Sequence, residues 1–453
     1  MAKEELQKAK FNFQQSGTAK NVILFVGDGM GMSTITATRR YMAETRGIPL
    51  GERAALSFED FPALGLAMTY NSDRWVPDSS GTASAMLCGE KVNFYTVAVK
   101  DNVPMSDCTN VNEDSKLKSV IKHAIDAGKR TGIVTTSRIT HATPAAAYAN
   151  SADRNWEYDV PDGVPGKENC QDIAQQLVGD SYSQQIRVFL GGGQRGFYPQ
   201  GDVAHDGRRM DGRNLIQEWL AEKSKTLDEK QFGYLESRQE MLNRNIEDTE
   251  YLLGLFSTSH MSDEIDRLKV VPPKEPSLTE MVETAIKVLQ KGPEGFLLFV
   301  EGAKMDMAHH DNLPHRALNE TLMLSDAVEV AMDLTDKEDT LIVVTADHSH
   351  SFTFSGYPKT SESIFDTHVE QWQPDDKIPY TVLSYVNGPG WYSHRLDENG
   401  DAIVRNVSGI KPLITRRNLT GVDTGKLDQL LSFLFIANEF YFPFQSSSSY
   451  LKL

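Results

Sequence analysis

Three short apolar runs in this 453-residue sequence stop at acidic residues, and its chemistry gathers there. Asn21-Val-Ile-Leu-Phe-Val runs into Gly27-Asp28-Gly29-Met30-Gly31, Phe296-Leu-Leu-Phe-Val into Glu301-Gly302, and Leu341-Ile-Val-Val-Thr-Ala into Asp347-His348-Ser349-His350. Carboxylate and imidazole are ordinary zinc ligands. The adjacent Asp347 and His348 can both turn toward one ion once the chain leaves a strand's pleat. Asp306 and His310 stand four apart, so on a helix they share a face and can hold one cation. His309 then points elsewhere. Glu301, five residues before Asp306, can reach a second, harder ion. Taken alone, Asp28 also reads as the cap of a strand-to-helix turn; beside the other acids it reads as a bridging metal carboxylate.

Asp78-Ser79-Ser80-Gly81-Thr82-Ala83-Ser84-Ala85 is a run of small residues entering a helix. A helix N-terminus offers free N–H groups to a phosphate. A serine there can attack phosphorus if a metal lowers its pKa. The same residues suit an ordinary capped helix start. Together the motifs propose two zinc-type sites and one magnesium-type site, an arrangement that stabilises attacking and leaving oxygens during in-line displacement at phosphorus. Phosphate recognition also asks for a bidentate arginine. Arg138 and Arg154 both lie near the Thr-His-Ala-Thr segment at 140–143, and position alone does not choose between them.

The elements that must carry these residues follow from patterning. Each run is short, β-branched or aromatic and without alternation, which suits a strand buried on both faces. Thr131-Gly-Ile-Val-Thr-Thr and Ile186-Arg-Val-Phe-Leu are weaker examples. Helical patterns at 117–127, 170–177, 278–289 and 318–334 lie between the strands. The alternation predicts an α/β fold, a large and mostly parallel central sheet flanked by helices on both faces. Chemistry in such sheets collects beyond the carboxyl ends of the strands. Segment 356–420, richer in Pro, Gly, Asn and charge, reads as an insertion.

A net charge of −17 excludes sequence-independent nucleic-acid binding, which needs a basic footprint. With three cysteines and no C-x-x-C pair, a cysteine zinc site is not expected. Cys88 reads as a buried, inert thiol in a helix, while Cys108 and Cys170 flank loops and are free to pair or not. The charged first ten residues lack the apolar region of a signal peptide. The apolar stretch 431–444, broken by Asn438 and Glu439, falls far short of the roughly 20 residues of a spanning helix.

These motifs resemble those of animal alkaline phosphatases. The likeness is carried by Gly27-Asp28-Gly29-Met30-Gly31, Val76-Pro-Asp78-Ser79-Ser80-Gly81-Thr82, Thr140-His141-Ala-Thr143-Pro144, Arg154-Asn-Trp156, Gly191-Gly-Gly193, Phe299-Val-Glu301-Gly302 and Thr345-Ala-Asp347-His348-Ser349-His350. It runs in the family's order from about residue 20 to about 425. The resemblance implies hydrolysis of varied phosphate monoesters, with Ser79 as the nucleophile that becomes phosphoserine and Arg154 gripping the phosphate oxygens. It implies a zinc held by Asp28, Asp347 and His348, and a magnesium held by Asp28, Thr143 and Glu301. A second zinc falls to Asp306 and His310, with His141 a nearby residue that is not a ligand.

It further implies a homodimer, a Cys108–Cys170 bridge, secretion, glycosylation and a lipid anchor at the outer cell surface. Sequons stand at Asn319, Asn406 and Asn418, the first poorly placed in a helix. The implied division is an N-terminal arm at 1–20, a catalytic core at 21–355, a crown-like region at 356–420 and a divergent tail at 421–453.

Departures qualify this. The family gives the Asp306/His310 zinc a third histidine from a Thr-His-Gly-type motif, and no such motif occurs here. The only histidines after His350 are His368 and His394, and neither is expected to substitute. That zinc is therefore expected to be weakened. Met307 and Ala303, where the family commonly has His and Gly, are milder changes. Two other readings stand beside the phosphatase: an impaired relative acting as a surface binding protein, and a hydrolase of diesters or sulfate esters built on the same metal core.

Overall fold

The strand predicted from Asn21 forms β1, Asn21–Gly27, and its two neighbours are the other two acid-tipped runs. The computed structural model describes residues 17–49, 54–368 and 380–388, together with short strands at 405–407, 410–413 and 435–437. Further strands are β2 (Ala63–Gly65), β3 (Arg130–Arg138), β4 (Val188–Gly192), β5 (Phe232–Leu235), β6 (Tyr251–Leu255), β7 (Phe296–Gly302) and β8 (Thr340–Ala346). The sheet runs β8-β1-β7-β3-β4-β6-β5, all parallel. The strand Phe435–Ala437 adds antiparallel to β8, and β2 adds antiparallel beyond it.

Register aligns the chemistry. Val26 pairs with Glu301 and Thr345, and Gly27 with Gly302 and Ala346, so Asp28 and Asp347 leave the sheet at one level with Glu301 just below.

Both faces of the sheet are covered, which is why these strands show no alternation. Along β7, Phe296, Leu298 and Val300 face one core; Leu297 and Phe299 face the other. The first core is closed by helices α1 (Met32–Arg46), α3 (Leu278–Leu289) and α5 (Pro314–Leu334). The second is closed by α2 (Ser79–Cys88) and by the helices at Val120–Asp126, Ile173–Gly179 and Leu215–Lys223. Phe299 is fully buried. Phe299→Ala would cost about 3–5 kcal/mol in lost transfer energy and residual cavity.

Capping moves several boundaries from those predicted. The helix expected at 170–177 begins at Ile173 because Asp172 accepts the Gln175 N–H at 2.8 Å. The one expected at 117–127 begins after Ser119, whose hydroxyl accepts the Lys122 N–H. α5 starts at Pro314 rather than 318, since proline suits the first helical position. The strand expected from Ile186 begins at Val188.

Cys108 and Cys170 are joined by a disulfide, and Cys88 is a free thiol that burial pushes up to about 12. Asn319 turns its amide onto the Tyr41 hydroxyl at 3.2 Å, and Thr321 of the same sequon is fully buried, so the helix closes that site to a glycan. The side chains of His368, His394, Asn406 and Asn418, and most of segments 356–420 and 421–453, lie outside the described residues. Among the described residues no helix is long and apolar enough to cross a membrane.

Candidate active site

The turn after β1 is shaped by glycine. Gly29 has φ +70°, a conformation that L side chains rarely adopt, and its N–H donates to Asp347 Oδ1 at 2.9 Å. Asp28 is not a helix cap; Gly31 occupies that position for α1. At the start of α2, Asp78 does cap, its carboxylate accepting the Ser80 N–H at 3.1 Å, which leaves Ser79 as the first helical residue.

Ser79 then faces the sheet tip. Its Oγ lies 3.3 Å from Asp28 Oδ1 and 3.3 Å from His348 Nε2. Asp28, Asp347 and His348 form one group able to hold a cation, with His348 Nε2 3.3 Å from Asp28 Oδ1 and 3.5 Å from Asp347 Oδ2. Four ligands about 2.0 Å from a tetrahedral zinc stand about 3.3 Å apart, so this spacing fits. A second group joins Asp306 and His310, carried on helix α4 (Lys304–His310), to His350. His310 Nε2 is 3.6 Å from Asp306 Oδ1, and His350 Nε2 only 2.6 Å.

A third set is marked by unmet need. Asp28 Oδ2, Thr143 Oγ1 and Glu301 Oε1 are all buried without a well-aligned hydrogen bond, although the Thr143 hydroxyl lies near enough to Glu301 to work against the rise of its carboxyl. These are the three residues expected to hold magnesium, and an all-oxygen set suits a hard cation. Glu301 Oε2, by contrast, is satisfied by the hydroxyls of Thr135 and Ser137.

Electrostatics say the same. Burial, then the charges of Asp306 and Asp347, hold the Asp28 carboxyl well above the usual range. Burial pushes Glu301 up to about 7. Burial also works to raise Asp306, but the His350 hydrogen bond and the charges of His350, His348 and His310 bring it below the carboxylate range. Asp28 and Glu301, both pushed up by burial, are the two carboxylates that a nearby cation would keep ionised.

The two arginines separate cleanly. Arg138 grips Glu157 through Nε at 3.0 and 2.8 Å and through its terminal nitrogen. Arg154 reaches the site: it donates to Asp78 Oδ2 at 3.0 Å and lies 3.2 Å from His141 Nε2, with its guanidinium over the Tyr95 ring. Burial, then Arg154, pushes the His141 imidazole well down, so it is neutral. His309 turns away from the ligands, to Thr34 and Tyr385.

The strongest identification comes from sequence comparison. A family model of alkaline phosphatase matches residues 19–425. The chain belongs to the alkaline phosphatase family.

This alkaline phosphatase is 42% identical over 393 residues to a membrane-bound alkaline phosphatase of Bombyx mori, spanning 85% of this chain and 70% of that protein. It is 42% identical over 398 residues to the human tissue-nonspecific isozyme, spanning 85% of this chain and 72% of the isozyme. Among solved structures, Thermus thermophilus alkaline phosphatase superposes with a TM-score of 0.60 at 29% identity, covering 76% of this chain and 62% of that one. The enzyme from the Antarctic bacterium TAB5, at 22% identity and TM-score 0.57, shares the fold and covers 82% of this chain and 87% of its own. As a member of this family the chain is a phosphoric monoester hydrolase.

The structure brings Asp28, Asp347 and His348 together, gathers Asp306 and His310 with His350, and sets Ser79 beside the first group. The sequence reading missed His350, together with Thr135, Ser137 and Thr82, whose hydroxyl donates to Asp347 Oδ2 at 3.1 Å. His350 stands two residues after His348, and in extended chain such positions share a face; that spacing was the available signal.

Proposed function

We propose that this alkaline phosphatase transfers the phosphoryl group of a monoester to Ser79 and then to water. The observation that carries the reading is Ser79 Oγ, held 3.3 Å from both Asp28 Oδ1 and His348 Nε2 at the start of α2. Asp28, Asp347 and His348 would hold one zinc, Asp306 and His310 another, and Asp28, Thr143 and Glu301 a magnesium. When bound, such ions neutralise charge developing on the phosphoryl oxygens and lower the pKa of nucleophile and water.

The protein's own groups do the rest. Asp28 accepts the Ser79 hydroxyl and aims its lone pair. Arg154, oriented by Asp78 and by neutral His141, would clasp two phosphoryl oxygens. In the first half-reaction the Ser79 Oγ–P bond forms as the ester P–O bond breaks and the alcohol leaves. In the second, water attacks phosphorus and Ser79 is the leaving group. The buried oxygens of Asp28, Thr143 and Glu301 support a magnesium-type ion over a third zinc.

A homodimer fits the exposed apolar side chains of Leu64, Leu66, Met68 and Trp75, which offer a face for a second copy. Secretion, glycosylation away from Asn319, and a lipid anchor at the outer cell surface complete the reading, as does the division into arm, core, crown-like region and tail. An impaired relative that binds without turnover is the alternative. It rests on a two-ligand zinc at Asp306 and His310.

Hydrolysis of p-nitrophenyl phosphate at alkaline pH with zinc and magnesium tests the proposal. Ser79→Ala is expected to lower kcat by about a thousandfold or more. Turnover that survives in this variant would refute Ser79 as nucleophile, and a folded, metal-loaded wild type without turnover would favour the impaired relative.

A further inference from the structure

We infer that Tyr95 is a positioning residue for Arg154, fixing the plane in which its guanidinium meets a phosphoryl group; this deepens the reading of Arg154 above and rests on it. One residue holds the arginine at both ends. The Arg154 N–H donates to the Tyr95 carbonyl at 2.8 Å, and the guanidinium carbon lies 5.2 Å from the centre of the Tyr95 ring. Asp78 Oδ2, 3.0 Å from Nη1, and His141 Nε2, 3.2 Å from Nη2, fix two nitrogens of the head group. Those two contacts leave the planar cation free to tilt about the line that joins them. A ring beneath it resists the tilt, because the attraction holds only while the cation stays over the aromatic face.

The Tyr95 ring is in turn held by its neighbours. The Tyr95 N–H donates to Asp78 Oδ1 at 3.0 Å, and the other oxygen of that carboxylate receives Arg154 and caps α2. Phe94 lies against the Tyr95 ring with centroids 4.3 Å apart and planes 32° apart, and its own N–H donates to Asp73 Oδ1 at 2.8 Å. Arg74 closes the stack on the outside, 5.8 Å over the Phe94 ring. Behind the stack, Val97 and Ser151 exchange backbone hydrogen bonds of 2.9 Å, which tie the loop of Tyr95 to the segment that carries Arg154.

Backbone strain points the same way. Tyr95 has φ +67°, in the left-handed region that a bulky side chain seldom adopts. Glycine, asparagine or aspartate would enter it at smaller cost. Such strain persists where the surroundings over-determine it, and it gathers at functional sites. What the strain holds in place here is an aromatic face under the arginine of the site.

A double-mutant cycle separates positioning from packing. The zinc- and magnesium-loaded full chain would be compared with Tyr95→Phe, Tyr95→Leu, Arg154→Ala and the Tyr95→Leu/Arg154→Ala pair. For each, kcat/KM on p-nitrophenyl phosphate and the inhibition constant of inorganic phosphate would be measured. Inorganic phosphate has no ring, so a change in its binding is not a lost contact with an aryl group. Tyr95→Leu is expected to lower kcat/KM and weaken phosphate inhibition, each by about 3- to 30-fold, the worth of a guanidinium–aromatic contact. Tyr95→Phe keeps the face and is expected to stay within about twofold of wild type in both. With Arg154→Ala already present, Tyr95→Leu is expected to cost less than about twofold, since no guanidinium is left to orient.

An equal loss from Tyr95→Leu with and without Arg154, or unchanged phosphate inhibition in Tyr95→Leu, would overturn the proposal and leave the phosphate role of Arg154 standing. Undiminished phosphate inhibition in Arg154→Ala would overturn that role itself. If Tyr95→Leu does not fold, Tyr95→Gly, which suits the positive φ, takes its place in the cycle.

Discussion

At the scale of single residues, the two arginines near the site are held by different partners. Arg154 is held by Asp78 and His141, whereas Arg138 is engaged by Glu157. Their substitutions should therefore fail differently. Arg154→Ala is expected to lower kcat/KM by roughly 30- to 1,000-fold, about 2–4 kcal/mol of lost charge-assisted hydrogen bonding, with its urea midpoint little changed. Arg138→Ala leaves a nearly buried Glu157 carboxylate unpaired and is expected to cost about 3 kcal/mol or more of stability. Steady-state kinetics and urea denaturation of the same two proteins check both halves. The carboxylates and histidines that the structure gathers at the sheet tip were legible here because such groups at strand ends are costly unless used. The neighbourhood of His350 was not, since its hydrogen bond to Asp306 joins residues 44 apart in sequence.

At the scale of elements, unbroken apolar runs made β1, β7 and β8 readable, because strands buried on both faces leave no polar side to confuse the pattern. β2 was unreadable: three residues with one exposed leucine carry no periodicity. Helix ends moved to wherever an Asp or Ser could cap, a choice made by local geometry that apolar spacing does not encode.

Helix α5 carries a different sort of group. Glu320, on its buried side, accepts the Glu264 N–H, and burial pushes its carboxyl up to about 8 from an ordinary 4.5. Between those values the folded chain keeps a proton that the unfolded chain has released, so stability falls as pH rises. Glu320→Gln removes that loss. Thermal unfolding is expected to show the variant more stable than wild type near pH 8, with the gap closing as pH falls toward 4.5.

At the scale of the whole molecule, the fold class and the three acid-tipped strands were legible in the pattern of apolar runs and the acids that end them. The strand at 435–437 was not, because the sheet edge it joins lies far away in sequence. The Cys108–Cys170 bridge links residues 62 apart. Cys170→Ser is expected to lower stability by about 4 kcal/mol on the chain-entropy account, measured as a urea midpoint, with kcat unchanged because the bridge touches none of the site groups.

The central claim is a covalent phosphoryl group on Ser79. Mixing the zinc- and magnesium-loaded enzyme with radiolabelled phosphate monoester, quenching in acid and sequencing the labelled peptide tests it directly. The account predicts label on the peptide that begins α2, at Ser79 and not Ser80, and none in Ser79→Ala. Turnover without label on that peptide, or label that persists in the variant, would contradict it.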